Sequence, residues 1–273
     1  MFRPDKPLYD GDGLVEHFTR VEGFGEDTIR WVSIVICLET SQVFEIHQEI
    51  IPENTGRQGS SMELYEAMST LRAVRRLKSD PIPDDVQARV LNAATWAPTG
   101  GNVQPWRIIA VTDADKKQAL EDLYRPHWES YIPGYESRMK NMSEKLKAST
   151  TRALDAGTYL ANHMHEVPLI AVFCFNPDIM TITDLDQPRT SVVGGGSVYP
   201  AVQNFLLACR NEGLGCVLTT LLCYEEPALK ELLGIPEDWY TCAHVPVGYP
   251  VLGGHGSISR RGIDEMVSFN SWR

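Results

Sequence analysis

From Met62 onwards, helical and strand-like patterns alternate along the chain, but the glycines do not form the motifs of the common nucleotide-binding folds. No G-x-G-x-x-G follows the first strand pattern of this region, and no Walker A loop occurs there. The strand patterns also lack one regular βαβ period. The sequence therefore disfavours the Rossmann and P-loop folds and favours an α+β domain built in layers.

The elements of this region are predicted from hydrophobic periodicity and from the turn-forming residues between them. Pro83, Asp84 and Asp85 are typical of the first turn of a helix, where proline and negative charge are both favourable. The apolar run from Leu169 to Phe175 is typical of a buried strand. Helical patterns cover residues 62–77, 86–96, 113–123, 143–165, 198–212 and 227–233, and strand patterns cover residues 106–111, 169–175, 215–220 and 243–249.

The first 61 residues differ in composition from the rest of the chain. They hold 11 acidic and 5 basic residues, a net charge of −6, so the other 212 residues carry only −5 of the total of −11. Strand patterns at 31–38 and 43–47 are followed by a polar, turn-rich stretch at 51–61 that is typical of a linker. We therefore predict an N-terminal extension, residues 1–61, that is poorly packed and peripheral or lies outside the true reading frame, followed by one domain over residues 62–273. The alternative is an ordered hairpin packed on that domain, since an isolated hairpin is marginal in water.

The net charge and the cysteine content limit which binding partners and which cellular compartment we expect for this protein. A net charge of −11 disfavours nucleic acid and anionic membranes as partners. No apolar stretch approaches the roughly 18 residues of a membrane span, and no secretory signal pattern opens the chain. The six cysteines form no C-x-x-C pair and no zinc-ligand spacing, which predicts reduced thiols, no metal site and a cytoplasmic location.

Two segments contain side chains suited to an anionic, flat ligand. The first is Arg72-Ala-Val-Arg75-Arg76, whose guanidinium groups match phosphate oxygens, although a solvated helix face has the same composition. The second is residues 97–106, where two glycines allow close backbone approach and the amides of Asn102 and Gln104 suit the edge of a ring carrying carbonyl and imide groups. An irregular turn between helix and strand is the alternative for this second segment.

Three further segments are weaker signals when each is taken alone. The glycine-led run 194–204 and the run 213–221 are both typical of helix and strand packing. The pair Arg260-Arg261 near the C-terminus is typical of a solvated surface.

Taken together and in this order, the five segments resemble the nitroreductase family of FMN-dependent oxidoreductases. The resemblance runs from Met62 to Trp272 and is carried by RAVRR, APTGGNVQPW, the run from Gly194 to Thr220, and the terminal arginine pair. It implies a three-layer α-β-α fold of the α+β class, with a mostly antiparallel central sheet, in a homodimer.

The resemblance also implies roles for particular residues. The family segment that holds the FMN phosphate and ribityl chain matches Arg72, Ala73, Val74 and Arg75, with Arg76 as a neighbour. The segment beneath the isoalloxazine ring, usually supplied by the second subunit, matches Pro98, Thr99, Gly100 and Asn102. Ser197 matches a polar position near the ribityl chain and ring, Leu218, Thr219 and Thr220 match the segment beside the hydride-accepting nitrogen, and Arg260 and Arg261 match C-terminal phosphate ligands.

Two positions depart from the usual family pattern. Many members have serine or threonine where this chain has Ala73, so one side-chain hydrogen bond is missing. Many members have an acidic residue and a glycine where Thr220 and Leu221 stand, which changes the hydrogen bonding on the pyrimidine side of the ring.

The implied activity is electron transfer from NAD(P)H through FMN to a small electrophile such as a nitroarene or a quinone, in a ping-pong sequence. FMN carries the difficult chemistry, so no side chain is needed as a catalytic acid or base. His127, His163, His165 and His244 are accordingly expected to be structural or solvated. The alternatives are other flavin chemistry on the same fold, namely reductive dehalogenation or flavin fragmentation, a flavin-binding protein without turnover, and a structural dimer with an empty site. The sequence leaves open the physiological acceptor and the choice between NADH and NADPH.

Overall fold

A computed structural model of the chain describes residues 14–20, 31–37, 42–48 and 62–272 and divides the chain into two units, residues 1–61 and 62–273. The first unit contains the strands β1 (Leu14–Arg20), β2 (Trp31–Cys37) and β3 (Gln42–Gln48), which form an antiparallel sheet in the order β1-β2-β3. The two predicted strand patterns correspond to β2 and β3, whereas β1 was not predicted. The predictions about packing, linker and reading frame in this unit fall on residues outside the described ranges.

The second unit is built on a four-stranded sheet in the order β4-β5-β7-β6, in which all neighbouring strands are antiparallel. The central strand β5 is apolar throughout and is buried on both faces, as its sequence predicts. The edge strand β6 has only two residues. The strand bounds are β4 Trp106–Val111, β5 Leu169–Phe175, β6 Gly215–Cys216 and β7 Tyr240–Gly248.

A layer of helices covers each face of this sheet, because alternate residues of β5 point into two separate hydrophobic cores. Ala171 and Phe173 belong to the first core, and Ile170 and Val172 belong to the second. Helices α2 and α5 pack on the first face, and α3, α4 and α6 pack on the second. This confirms the predicted three-layer α+β fold with a mostly antiparallel sheet. The helix bounds are α1 Leu64–Thr70, α2 Asp84–Thr95, α3 Ala114–Met139, α4 Glu144–His163, α5 Tyr199–Asn211, α6 Glu226–Leu233 and α7 Ile263–Met266.

The helix predicted over residues 62–77 is shorter than its periodicity indicates, and this prediction is wrong after Thr70. The following residues are extended, and the Val74 N–H donates to the Cys216 carbonyl at 2.9 Å. The Lys78 N–H donates in the same way to the Tyr249 carbonyl at 2.8 Å. These backbone bonds, together with the parallel bridge between Ala73 and Cys216, replace the intrahelical bonds that the helical pattern favours. The segment RAVRR is therefore an added edge of the sheet.

Helix α3 is much longer than the predicted span 113–123. Asp113 caps its start by accepting from the Lys116 N–H at 2.9 Å, and the helix then continues through Pro126 and Pro133. Tyr124 and Trp128 are both buried, one on each side of Pro126. Their packing compensates for the backbone hydrogen bond that a proline removes, so tertiary contacts extend the helix past its local stop signal.

Two global features can be stated for the described part of the chain. Within residues 62–272, Cys174, Cys209, Cys216, Cys223 and Cys242 are free. None of the helices in the described part is both long enough and apolar enough to cross a lipid bilayer.

Candidate active site

A cavity of about 270 Å³ lies between α3, α4 and the chain segment that follows β6. The residue that contributes charge to its wall is Arg75, from the extended edge segment. The lining residues are Arg75, Tyr124, Trp128, Tyr131, Tyr135, Thr150, Ala153, Leu154, Leu160, Val217, Leu218, Thr219, Thr220 and Leu221. The structure therefore brings together predicted site residues that are more than 140 positions apart in the sequence.

Arg75 is half-buried and lacks a partner among the described residues. No carboxylate and no hydrogen-bond acceptor of that part of the chain pairs with its guanidinium group. Burial lowers the pKa of Arg75 from its usual value, although Tyr124 and Tyr135 act in the opposite direction. Because the nitrogens of this unpaired guanidinium are not fully buried, they are able to donate to an anionic ligand that enters the cavity. This arrangement is typical of a binding group whose partner is a ligand.

The segment Leu218–Thr220 forms the wall opposite α3. It was predicted as strand, but regular pairing ends at Cys216, and the segment is then held by a single bridge between Thr219 and His244. Each of these two residues donates its N–H to the carbonyl of the other at 2.9 Å. The Thr219 hydroxyl accepts from the Leu221 N–H, and Thr219 also lowers the pKa of Tyr124, against the larger upward effect of burial. The wall is therefore irregular in conformation but fixed in position.

The histidines take structural positions rather than cavity positions. His244 is fully buried, and burial lowers its pKa to about 4, so its side chain is neutral at physiological pH. His127 contacts Glu225 at 2.7 Å, and His165 contacts Glu121 at 2.6 Å. His163 stacks on the ring of Tyr159. None of the four is among the lining residues of the cavity, and the expectation that no histidine acts as a base stays a prediction.

An aromatic stripe on α3, formed by Tyr124, Trp128, Tyr131 and Tyr135, lines the other side of the cavity. Spacings of four, three and four residues place these rings on one face of the helix. Trp128 is fixed in place because its Nε1–H donates to the Thr158 hydroxyl at 3.1 Å. A Cβ atom at Gly157 would lie only 2.2 Å from the indole ring, so glycine is needed there for close packing. Sequence reasoning missed this stripe, although its helical spacing was visible across Pro126.

The second predicted segment forms a strained, exposed loop before β4. Backbone φ is 59° at Gly101, 57° at Asn102 and 48° at Gln104, in the left-handed region that residues other than glycine seldom adopt. The Gly100 N–H donates to the Ser197 hydroxyl at 3.0 Å, and the Gln104 N–H donates to the Thr99 hydroxyl at 3.1 Å. Glycine and asparagine tolerate this region, so the strain lies at Gln104, and strain of this kind is typical of functional sites. The loop thus joins the predicted positions Pro98, Thr99, Gly100 and Asn102 to Ser197.

These two groups of predicted residues lie at opposite edges of the sheet. The loop leads into β4, whereas Arg75 and the segment Leu218–Thr220 adjoin β6. Three inter-strand spacings separate the two edges, which amounts to about 14 Å. One copy of the chain therefore presents the two groups as separate surfaces.

The remaining predicted positions lie on or near the extended segment that carries Arg72 and Arg75, which we call the arginine edge. The Arg72 side chain lies beside Gly256, four residues before Arg260, and a Cβ atom at Gly256 would be 3.7 Å from Arg72 Nη1. Val74 is buried in the core, whereas Arg76 points away from the cavity and stacks on the Tyr159 ring at 4.5 Å. Arg260 and Arg261 are exposed, and Arg260 donates to the Ser259 carbonyl.

Comparison with known proteins places this geometry in a family. The sequence profile of the Nitroreductase family matches residues 69–249. Iodotyrosine deiodinase 1 of Rattus norvegicus is 28% identical over 211 residues, which cover 76% of this chain and 69% of that protein. The 5,6-dimethylbenzimidazole synthase of Rhodospirillum rubrum is 28% identical over 184 residues, which cover 66% of this chain and 78% of that protein.

A solved structure supports the same assignment at the level of fold. The structure of oxidized iodotyrosine deiodinase bound to FMN and 3-iodo-L-tyrosine superimposes with a TM-score of 0.55 and 23% identity, and the match covers 77% of this chain and all of that one. This structural similarity supports the fold, whereas the profile match supports the family. The chain belongs to the nitroreductase family.

Proposed function

We propose that this chain binds FMN and passes electrons from a reduced nicotinamide to a small aromatic electrophile. The observation that carries the proposal is the unpaired, half-buried guanidinium of Arg75 in a cavity that it shares with Leu218, Thr219 and Thr220. FMN offers an anionic phosphate at one end and a ring edge rich in hydrogen-bond acceptors at the other. The named flavin ligand of the solved deiodinase supports the same cofactor.

The residues at the arginine edge fit the two ends of FMN. Arg72 and Arg75 stand three positions apart on an extended segment, so their Cα atoms are separated by about 10 Å. Arg72 lies against the C-terminal tail that carries Arg260 and Arg261, and these three residues would hold the phosphate. Arg75 opens into the cavity beside Leu218–Thr220 and would contact the ring edge. The geometry thus favours the ring rather than the phosphate as the partner of Arg75.

The exposed loop at the other edge fits the complementary surface of a second copy. Several large apolar side chains of the described chain are exposed, including Tyr65 at 81% and Trp272 at 98%. Contact with a second copy would cover such side chains. We therefore propose a homodimer in which the loop Pro98–Asn102 with Ser197, from one copy, completes the cavity of the other.

When bound, FMN would supply two-electron chemistry by accepting hydride from NAD(P)H and returning the electrons to an acceptor. The chain's own residues would provide shape and electrostatics. The aromatic stripe of α3 and the apolar side chains Leu218 and Leu221 would exclude water and orient a flat acceptor. Arg75 would stabilise negative charge on the ring edge.

Among possible acceptors, the curated relatives favour a halogenated aromatic over a nitroaromatic one. Two of these proteins, at 28% identity, are named for deiodination of iodotyrosine and for synthesis of 5,6-dimethylbenzimidazole. Reductive dehalogenation of an aryl halide consumes two electrons and one proton. The carbon–halogen bond breaks, a carbon–hydrogen bond forms, and the halogen leaves as halide. Reduction of a nitroarene or quinone and fragmentation of flavin are the competing reactions on the same fold.

One set of measurements tests cofactor and reaction together. The purified chain should be yellow with about one FMN per chain, and its absorption at the flavin band should fall on anaerobic addition of NADH or NADPH. The reduced protein should then release iodide from 2-iodo-4-ethylphenol faster than it reduces nitrobenzene. A colourless protein that takes up no added FMN would contradict the cofactor assignment. Bleaching by dithionite but by neither nicotinamide would contradict the donor alone.

A shared cavity also makes a kinetic prediction. If donor and acceptor occupy the same cavity in turn, initial rates at varied donor and fixed acceptor concentrations should give parallel double-reciprocal lines. Intersecting lines together with a trapped ternary complex would contradict the shared cavity.

A further inference from the structure

The cavity wall is aromatic, apolar and hydroxyl-bearing, and its single charged side chain is the cation Arg75. No aspartate or glutamate lies among its described lining residues. A second cation lies at the outer end of the stripe, because Arg138 stacks on the Tyr135 ring at 5.3 Å. The carboxylate of Glu225 is already paired with His127, which stacks on Tyr224. A bound ligand therefore meets positive charge and no free carboxylate.

From this charge pattern we infer that the acceptor is a phenol-type aromatic compound without an ammonium group, neutral or anionic, rather than an amino acid or an amine. The inference rests on the proposed function, since it names the substrate class of the same cavity. It separates this chain from the relatives that are named for iodotyrosine, which carries both an ammonium and a carboxylate group.

The ammonium group is the reason why amino acids and amines should bind weakly in this cavity. A buried ammonium needs a counter-charge or several acceptors, and this wall offers only hydroxyl oxygens and ring faces. Aromatic faces attract cations, and the attraction is stronger when the cation is desolvated. Arg75 opposes that attraction because it remains positively charged, whether or not its donors are occupied by a ligand. A carboxylate or phenolate is instead favoured by the same guanidinium.

The hydroxyl groups of the wall suit a phenol. Tyr131 and Tyr135 share a hydrogen bond of 3.4 Å, and this bond raises the pKa of Tyr131. One O–H of the pair donates within this bond, and the other O–H is able to donate to a phenolic oxygen. Thr150 and Thr220 supply further hydroxyls on neighbouring walls.

A charge series on one ring tests the inference. Four ligands share a 2-iodophenol ring and differ at position 4: 2-iodo-4-ethylphenol is neutral, 4-hydroxy-3-iodophenylacetate is anionic, 3-iodotyramine is cationic and 3-iodo-L-tyrosine is zwitterionic. Their affinities are measured by calorimetry on the oxidised full-length protein without a reductant, so that no turnover occurs. The neutral and anionic ligands should bind at least about tenfold more tightly than iodotyrosine, with iodotyramine the weakest, since each tenfold step corresponds to about 1.4 kcal/mol. Equal or tighter binding of iodotyrosine or iodotyramine would overturn the inference.

Matched variants change the charge of one lining side chain while keeping its size similar. Leu221→Glu adds a carboxylate, and Leu221→Gln is its neutral control. The Glu variant should bind iodotyramine more tightly and the phenylacetate more weakly, whereas the Gln variant should change neither preference. Thr150→Asp and Thr150→Asn repeat the comparison from α4, in case a change at Leu221 impairs folding. An unchanged order of affinities in a folded Glu or Asp variant would contradict the electrostatic argument.

The outcomes also separate this inference from the proposed function. A protein that binds FMN but none of the four phenols keeps the flavin proposal and overturns the inference. A protein that binds no FMN loses the flavin proposal, and the same four titrations still report the charge preference of the cavity.

Discussion

The predicted site residues at the two edges of the sheet differ in their hydrogen bonding and in their surroundings. At the β6 edge, Arg75 has no partner in the described chain and opens into a cavity. At the β4 edge, the loop Pro98–Asn102 is exposed, and its backbone N–H groups bond to Thr99 and Ser197 within the same chain. The first edge thus presents a charged group to a cavity, whereas the second presents an exposed loop held by its own hydrogen bonds. This difference is the basis for the proposal that one edge binds the ligand and the other completes the site of a second copy.

The largest effect should follow from removing the unpaired charge. Arg75→Ala should weaken FMN binding by roughly ten- to a hundredfold, because a charge-assisted hydrogen bond contributes about 1.5–3 kcal/mol. The midpoint of thermal unfolding of the flavin-free protein should change little, since no protein partner of Arg75 is left unpaired. Fluorescence titration with FMN and thermal melts measure the two quantities.

Two controls accompany this variant. Arg75→Lys keeps the charge but loses the planar fork, so its affinity should fall between those of the original protein and the alanine variant. Arg261→Ala removes a residue proposed to hold the phosphate and should also weaken binding. Unchanged FMN affinity in both Arg75→Ala and Arg261→Ala would remove the basis for an arginine site at this edge.

At the β4 edge, FMN affinity should depend on the backbone conformation of the loop Pro98–Asn102. Gly101 has φ of 59°, which a β-branched residue rarely adopts. Gly101→Val should therefore strain the loop by about 1–3 kcal/mol and weaken FMN binding by roughly tenfold. Gly101→Asn is the matched control, because asparagine tolerates this conformation and should stay within about threefold of the original affinity.

Mixing the two defective proteins tests whether the loop acts on a second copy. A mixed dimer of Arg75→Ala and Gly101→Val contains one site with both changes and one site with neither, if the loop and the arginine come from different copies. Unfolding and refolding an equal mixture should thus restore tight FMN binding at roughly one site in four. Absence of any restoration, or a monomer in sedimentation with FMN bound, would place both edges in the site of a single copy.

A smaller effect is expected at the neighbouring arginine. Arg76 stacks on the Tyr159 ring and is not among the lining residues of the cavity. Arg76→Ala should lose only the cation–π contact, about 0.5–1 kcal/mol of stability, and FMN affinity should change by less than about threefold. A loss of affinity comparable with that of Arg75→Ala would show that Arg76 faces the ligand.

The sequence predicted the sheet and most helices of this domain because their patterns are local. Strand β5 has the predicted bounds, and α5 differs from its predicted span by one residue at each end. The extended conformation of RAVRR was not predictable from its neighbours, since its bonds run to Cys216 and Tyr249, far along the chain. The same holds for the length of α3 beyond Pro126, which depends on packing of Tyr124 and Trp128.

The candidate site was predicted in composition but not in arrangement. The motifs identified Arg75 and Thr219, whereas the cavity also depends on the α3 stripe, which no single motif marks. Sequence order also gave no means of seeing that the loop and the arginine lie at opposite edges of the sheet. Such arrangements follow from strand order, which hydrophobic periodicity does not encode.

The smallest effect should come from removing residues 1–61, which we predict to be dispensable for FMN binding and turnover. The structure divides the chain between Ser61 and Met62, and the profile of the family begins its match at residue 69. A chain starting at Met62 keeps α1, and its first residue can still donate to the Asn211 side chain, as the Met62 N–H does at 3.2 Å. FMN affinity and the unfolding midpoint should therefore stay within experimental error of those of the full chain. A chain starting at Leu71 is the control. It also loses buried Ala67 and the bond of 2.9 Å between Thr70 and Arg210, so it should unfold at a clearly lower temperature. If the shorter deletion already loses FMN or stability to the same extent, the first unit is part of the functional domain and the predicted boundary is wrong.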